Sequence, residues 1–228
     1  MFKSALMPVL LQFKLDNGQE CGAILKVGDD LRQDQLVLQM ISLMNRLLLE
    51  EKLDLRLTPY NALATSVDAG LLEFVPNSMG VGDILRKYST IGRYLHDHCV
   101  GNLVHVMENY VRSCAGYCVI TYILGIGDRH NDNLLITNEG KLFHIDFGFI
   151  LGRDPKPMPP PLKLNREMVE AMDKEGWDQF KSYCFEAYIN LRRHSQLILS
   201  LFGKPKKPQF GPGAYIGVLV QIAAYEKM

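Results

Sequence analysis

Six consecutive side chains that ionise, coordinate metal or form hydrogen bonds, Asp128-Arg129-His130-Asn131-Asp132-Asn133, follow Gly125-Ile126-Gly127 between an apolar helical stretch and an apolar strand. Burying such a run idle would be costly, so its density points to chemistry rather than to a solvated connection. The next segment says which chemistry. Leu134-Leu135-Ile136 and Leu142-Phe143-His144-Ile145 flank Thr137-Asn138-Glu139-Gly140, a hairpin pattern. Antiparallel pairing brings Asn133, just before the first strand, and Asp146, just after the second, to the same end. One amide oxygen and one carboxylate suit Mg²⁺, which keeps several waters and bridges phosphate groups rather than filling a protein cage.

A five-residue step from Asp128 to Asn133, followed by Asp146-Phe147-Gly148, has the order and spacing of the catalytic and metal loops of kinases. Asp128 then stands where a catalytic aspartate would. Lys26 ends an apolar strand; alone it reads as a surface lysine, but in a kinase-like lobe it faces nucleotide phosphates, with Asp34 on the following helix as the acid that orients it. Phe2-Lys3-Ser4-Ala5-Leu6-Met7-Pro8 contains no glycine, so a phosphate cradle there must use Ser4, nearby amides and Lys3.

The elements that must position these residues follow from the pattern. Leu10 to Phe13 and Ala23 to Val27 form a hairpin across Asp16-Asn17-Gly18. Leu31 to Leu48 has helical spacing, with Asp30 and Gln33 as an N-cap pair. Leu53, Leu55 and Leu57 alternate with polar residues, and Leu63 to Val67 pairs with Leu71 to Val75 across Asp68-Ala69-Gly70. Residues 1–75 are thus expected as a small antiparallel sheet with one helix. Residues 76–202 are expected as a mostly helical lobe, with helices over Val81 to Tyr88, Val104 to Leu124 and Trp177 to Phe202. Pro155, Pro157, Pro159, Pro160 and Pro161 keep the stretch between the second hairpin and the last helix a loop. Residues 203–228 read as an atypical tail. The fold class is α+β, in two lobes.

Composition sets the outer limits. The 228 residues carry 25 Lys+Arg against 25 Asp+Glu, which excludes a strongly basic nucleic-acid binder. At 47% hydrophobic and 22% charged residues, the chain can bury a core. Five cysteines without paired spacing argue against a disulfide framework or structural zinc, and a reducing compartment fits best. Cys114 and Cys118, one helical turn apart, read as core, and His96, His98 and His105 share no ligand spacing. Met1 to Leu11 lacks signal-peptide features, and the apolar stretches Tyr117 to Gly127 and Ala214 to Tyr225 fall short of the ~20 residues that span a bilayer.

Lys26 with Gly28 to Gln35, Gly127 to Asn133, and His144-Ile145-Asp146-Phe147-Gly148 together resemble the phosphatidylinositol 3-kinase catalytic domain. Phe2 to Pro8, Leu57-Thr58-Pro59-Tyr60, Ser113 to Gly125 and Leu151 to Pro157 are most similar to its class III, vacuolar-sorting branch. The resemblance runs from about Phe2 to Phe202 and implies a two-lobed kinase using ATP with Mg²⁺ or Mn²⁺ to phosphorylate the 3-hydroxyl of phosphatidylinositol. It implies that Ser4, Lys26, Asp34, Tyr60, Glu73, Phe74, Val75 and Ile145 surround ATP, with Glu73 to Val75 as the hinge, and that Asn133 and Asp146 hold the metal. It makes His130 the base for the inositol hydroxyl, with Asp128 its rival and Arg129 ordering the loop. Arg153, Lys156 and Lys163 belong to the substrate loop. Also implied are regulatory protein subunits, roles in membrane trafficking and autophagy, and a cytoplasmic place on endosomal or autophagic membranes. The start and end depart from the family, so the chain is expected to be a weak lipid kinase, with a truncated, catalytically inactive nucleotide-binding interaction module as the alternative. A protein kinase fits less well, because Pro155 to Pro161 looks like a lipid-kinase loop.

Overall fold

The turn at Asn17-Gly18, with Gly18 at φ 81°, reverses the chain between β1 (Val9–Lys14) and β2 (Glu20–Val27). The computed structural model describes residues 8–18, 20–160 and 162–202; Ser4, Pro161 and residues 203–228 lie outside them. After β2 comes α1 (Arg32–Glu50), whose Val37, Leu38, Ile41, Met44 and Leu48 form the buried stripe that its spacing predicts. The expected Asp30 cap is not there. Asp30 instead accepts from the amide and guanidinium of Arg32, Leu31 occupies the cap position, and Gln33 reaches across to another part of the chain.

Leu53 and Leu55 are buried, yet their segment joins no sheet. Side chains of a later helix hold it instead: Arg112 donates to the Asp54 carbonyl and Tyr117 to the Thr58 carbonyl. β3 (Ala62–Ala64) and β4 (Ala69–Glu73) complete an antiparallel sheet in the order β1-β2-β4-β3. Ala69 and Gly70, expected in the turn, are strand residues, and Gly70 pairs with both Lys26 and Ala64. A Cβ at position 70 would stand 2.6 Å from the Leu63 carbonyl oxygen, so close packing rather than turning requires this glycine.

Beyond Glu73 the chain enters a second sheet. β5 (Ser78–Gly80), which no periodicity announces, pairs with β6 (Leu134–Thr137), and β6 with β7 (Leu142–His144) in the hairpin expected from the sequence. Between them lie α2 (Val81–Tyr88), α3 (Ile91–His98) and α4 (Leu103–Ile123). The weakly patterned sequence around His96 to Asn102 suggests helix, and the helix there, α3, lies earlier in the chain because Thr90 caps it. α4 is buried on nearly every side, Cys114 and Cys118 included, and is the axis of this lobe. α5 (Arg166–Glu170), α6 (Lys174–Arg193) and α7 (Ser195–Leu201) follow the proline-rich loop. The single helix expected from Trp177 to Phe202 thus begins earlier, because the Asp173 carboxylate caps it through the Gly176 amide, and it breaks at His194. Among the described residues no helix is long and apolar enough to cross a membrane.

Candidate active site

One wall of the cleft comes from the first sheet and α1. Lys26, in β2, points its ammonium at Asp29, 3.1 Å away, rather than into a direct pair with Asp34. Asp34 sits in the first turn of α1, only 6% exposed, and its Oδ1 accepts the Phe147 amide at 3.1 Å. Burial pushes its carboxyl up to about 6, against the pull of the Phe147 amide and the Lys26 charge, while Asp146 and Asp29 push the same way as burial. Gln33 donates to the Phe147 carbonyl at 2.6 Å, so α1 grips that peptide at both ends. Tyr60 lies edge-on to Phe143 with its hydroxyl buried and without a hydrogen-bond partner. At the end of β4 the Glu73 carboxylate accepts from the amide and side chain of Asn61, the Phe74 amide donates to Gly22, and the Val75 carbonyl accepts from Ser78. Residues 73–75 thereby form the single strap between β4 and β5.

The other wall is the turn between α4 and β6. Asp128 adopts φ 53° and Asp146 φ 60°, left-handed backbone that non-glycine residues hold only where their surroundings fix it. Arg129 does much of that fixing. Its guanidinium donates to the carbonyls of Gly127 and Ile145, each at 2.7 Å, and to that of Asp146, and it lies over the Phe147 ring. Burial lowers its pKa while Asp146 and Asp128 oppose the shift, so it remains a cation. Grouped with the catalytic residues from the sequence, Arg129 is an ordering residue whose donors are engaged by backbone.

His130 and Asp128 stand together, Nε2 to Oδ2 at 3.8 Å. His130 Nδ1 faces the Asp132 amide at 3.3 Å as an acceptor, which assigns the proton of the neutral ring to Nε2, on the Asp128 side. The two base candidates therefore lie side by side, too far apart for a direct hydrogen bond. Asn133, 7% exposed, donates its Nδ2 to the Asp128 carbonyl at 3.0 Å, which leaves Oδ1 as an acceptor. Its carbonyl accepts the Ile145 amide at 3.1 Å and draws Asp146 alongside. The Asp146 Oδ1 accepts only a long bond, 3.3 Å, from Gly148. An amide oxygen and a carboxylate set at one hairpin end suit Mg²⁺ or Mn²⁺, which would complete its coordination with phosphates and water. Among the described residues no cluster of three His, Cys, Asp or Glu offers a rival metal site.

Sequence reasoning had no signal for three neighbours. Gln33 read as a cap; His144 lies flat on Tyr117 at 5.0 Å, kept neutral by burial and by Arg129; Asp154, within the Leu151 to Pro157 run, was given no role and accepts the Asp128 amide. The proline-rich loop leaves Arg153 and Lys156 at the surface, whereas Lys163, expected to face substrate, is turned inward onto Asp154.

The sequence matches the family described as phosphatidylinositol 3- and 4-kinase over residues 20–99 and 89–208. It is similar to the soybean (Glycine max) "Phosphatidylinositol 3-kinase, root isoform", with 58% identity over 211 residues, covering 89% of this chain and 26% of that protein. It is similar to "Phosphatidylinositol 3-kinase VPS34" of Arabidopsis thaliana, 56% identical over 212 residues with 89% and 26% coverage. The protein of that name from Saccharomyces cerevisiae is 53% identical over 211 residues, with 89% and 24% coverage. The chain spans about a quarter of the length of these curated relatives.

Proposed function

The chain belongs to the phosphatidylinositol 3- and 4-kinase family, and from that premise we propose that it transfers the γ-phosphate of ATP to the 3-hydroxyl of phosphatidylinositol. The observation that carries this reading is the hairpin end at which the Asn133 carbonyl accepts the Ile145 amide, setting Asn133 beside Asp146, with Asn133 Nδ2 on the Asp128 carbonyl and His130 beside Asp128. With Mg²⁺ or Mn²⁺ bound, Asn133 and Asp146 would hold the ion, which neutralises charge on the phosphates. Lys26 would bind the phosphates, and the strap at Glu73, Phe74 and Val75 would meet adenine. Asp128 or His130 would take the proton from the inositol hydroxyl. Relatives named phosphatidylinositol 3-kinase support the choice of the 3-position.

Unphosphorylated phosphatidylinositol is the preferred lipid. Each further headgroup phosphate calls for Arg or Lys partners, and with Lys163 engaged by Asp154 the exposed cations from Phe147 to Lys163 are Arg153 and Lys156. The product, phosphatidylinositol 3-phosphate, would serve endosomal and autophagic trafficking, with the protein peripheral on those membranes and partnered by regulatory subunits. The test is incubation with ATP, Mg²⁺ or Mn²⁺ and phosphatidylinositol vesicles, with the product identified by phosphate position. A 3-phosphate is expected; a 4-phosphate, or an equal rate on phosphatidylinositol 4,5-bisphosphate, would overturn the assignment.

A further inference from the structure

One ion pair closes the proline-rich loop at both ends. Asp154 Oδ2 lies 3.1 Å from Lys163 Nζ, and the two side chains are 5% and 9% exposed. The same Oδ2 accepts the amide of Asp128 at 3.2 Å, and Oδ1 accepts the amide of Lys156 at 2.9 Å. This contact between loop and catalytic turn is prepared by backbone. Gly127 donates to Phe149 at 2.8 Å, Gly152 to Gly125 and Leu151 to Leu124, each at 2.9 Å, so the root of the loop runs alongside the entry to the turn. The two strands approach so closely that a Cβ on Gly127 would lie 2.1 Å from the Arg153 carbonyl oxygen and 2.9 Å from the Asp154 Cα.

The site reading above leaves Asp154 without a task and expects Lys163 at the lipid. Their burial contradicts a headgroup role for Lys163, because a side chain ion-paired below the surface cannot also reach a phosphate or ring hydroxyl outside it. What the pair does touch is Asp128, held in its left-handed conformation. That conformation sends the Asp128 side chain toward His130 and its carbonyl toward Asn133 Nδ2. We propose that Asp154 is a positioning residue for phosphoryl transfer and that Lys163, by holding Asp154, fixes the placing of Asp128 and Asn133. This proposal rests on the kinase reading. Without the Lys163 charge the Asp154 carboxylate is buried and unpaired, a state relieved by moving toward water. The Asp128 amide then loses its acceptor, the turn relaxes toward ordinary φ, and both the base pair and the Asn133 oxygen shift together. The carboxyl of Asp154 stands below its usual range: burial raises it, but the hydrogen bonds from Lys156, Lys163 and Asp128 outweigh burial.

The whole chain is compared with Lys163→Met, Lys163→Arg and Asp154→Asn in three measurements: phosphorylation of phosphatidylinositol vesicles, ATP hydrolysis without lipid, and the imidazole resonance of His130 by NMR. A positioning role lowers kcat in Lys163→Met by the same factor in both reactions, roughly 10- to 100-fold for a misplacement of an ångström or less, with KM for lipid nearly unchanged. Lys163→Arg, which keeps the charge, should recover to within about threefold of native. A raised KM for lipid with native lipid-free hydrolysis would make Lys163 a headgroup contact and overturn the proposal. If Lys163→Met fails to fold, Asp154→Asn, which keeps the shape, must show the same joint loss; unchanged rates there also overturn it. Absence of turnover by the native chain would sink the kinase reading instead. In that case the His130 resonance still decides the coupling: it must move in Lys163→Met and stay in Lys163→Arg, and a resonance fixed in both refutes the clasp.

Discussion

Lys26 and the turn from Asp128 to Asn133 face one cleft from supports of different stiffness. Every residue of β1 but Leu11 is exposed, with Val9 at 53% and Phe13 at 46%, and β2 has no fully buried residue. Among the described helices, α1 packs against this sheet through β3. The turn across from it stands on β7, buried throughout, on the buried Leu134 and Ile136 of β6, and on α4. Its two left-handed aspartates are bound by Arg129, Asn133 and Asp154. Regions with few buried apolar contacts open at lower free energy than those with many. A lysine that neutralises a phosphate tolerates some latitude in position, whereas two metal oxygens and a base must keep fixed separations. On the roles proposed for Lys26, Asp128, His130, Asn133 and Asp146, the stiffer support lies where the geometry of reaction is least forgiving.

Removing charge from the rigid wall should therefore have the largest effect. Asp146→Asn should reduce kcat by at least about 10³-fold, because a metal ion's share of transition-state stabilisation is several kcal/mol and each ~1.4 kcal/mol is tenfold. Its melting temperature should stay close to native, since the side chain accepts a single long bond. A variant with more than a tenth of native activity would show that Asn133 alone suffices for the ion.

Next is Arg129→Met, which leaves the carbonyls of Gly127, Ile145 and Asp146 without their donors. A loss of about 3 kcal/mol in stability, at roughly 1–3 kcal/mol for each unsatisfied buried group, goes with about a 10²-fold fall in kcat. Both falls together distinguish it from Asp146→Asn, which should lose activity alone. If Arg129→Met melts like the native chain, the turn is held by something else and the contrast between walls fails.

Lys26→Met probes the pliable wall. KM for ATP should rise about tenfold, while the melting temperature moves by no more than roughly 4 °C, because a partly exposed ion pair such as that with Asp29 contributes about 0–1 kcal/mol. Calorimetry and initial rates on one preparation check both.

How far the sequence revealed this contrast depends on the range of the interaction. Local patterns were readable: the hairpin of β6 and β7, the apolar run of α4, the buried stripe of α1 and the convergence of Asn133 with Asp146 all follow from periodicity and antiparallel pairing. Contacts across long stretches of chain were not. Separations of 113 positions from Asp34 to Phe147 and 26 from Asp128 to Asp154 carry no spacing rule, so Asp34 was matched with its neighbour Lys26 and Lys163 with the lipid. Polar residues near an element's end also mislead, as Asp30 and Gln33 did, because a cap and a tertiary hydrogen bond draw on the same side chains.

The smallest effect expected on activity joins the two walls, at Asp34. Its folded-state pKa of about 6 exceeds the ordinary 3.8, chiefly through burial. Above pH 6 the folded chain carries this carboxylate charged and poorly solvated, so the full cost to stability is present there. As pH falls through 6 the folded state takes up a proton that the unfolded state binds only near 3.8, and this group's cost disappears across that window. Asp34→Asn keeps an oxygen for the Phe147 amide but has no charge to bury. In metal-free buffer the variant should be more stable than native above pH 6, by up to about 3 kcal/mol for two pK units, or roughly 6–12 °C in melting temperature. The advantage should shrink between pH 6 and 4 and vanish below. Denaturation at a series of pH values reads this directly: a constant difference would mean that shape and not charge separates the two side chains, and a less stable variant at pH 8 would mean that attraction to Lys26 outweighs burial, making α1 and the first sheet a tighter unit than the comparison allows.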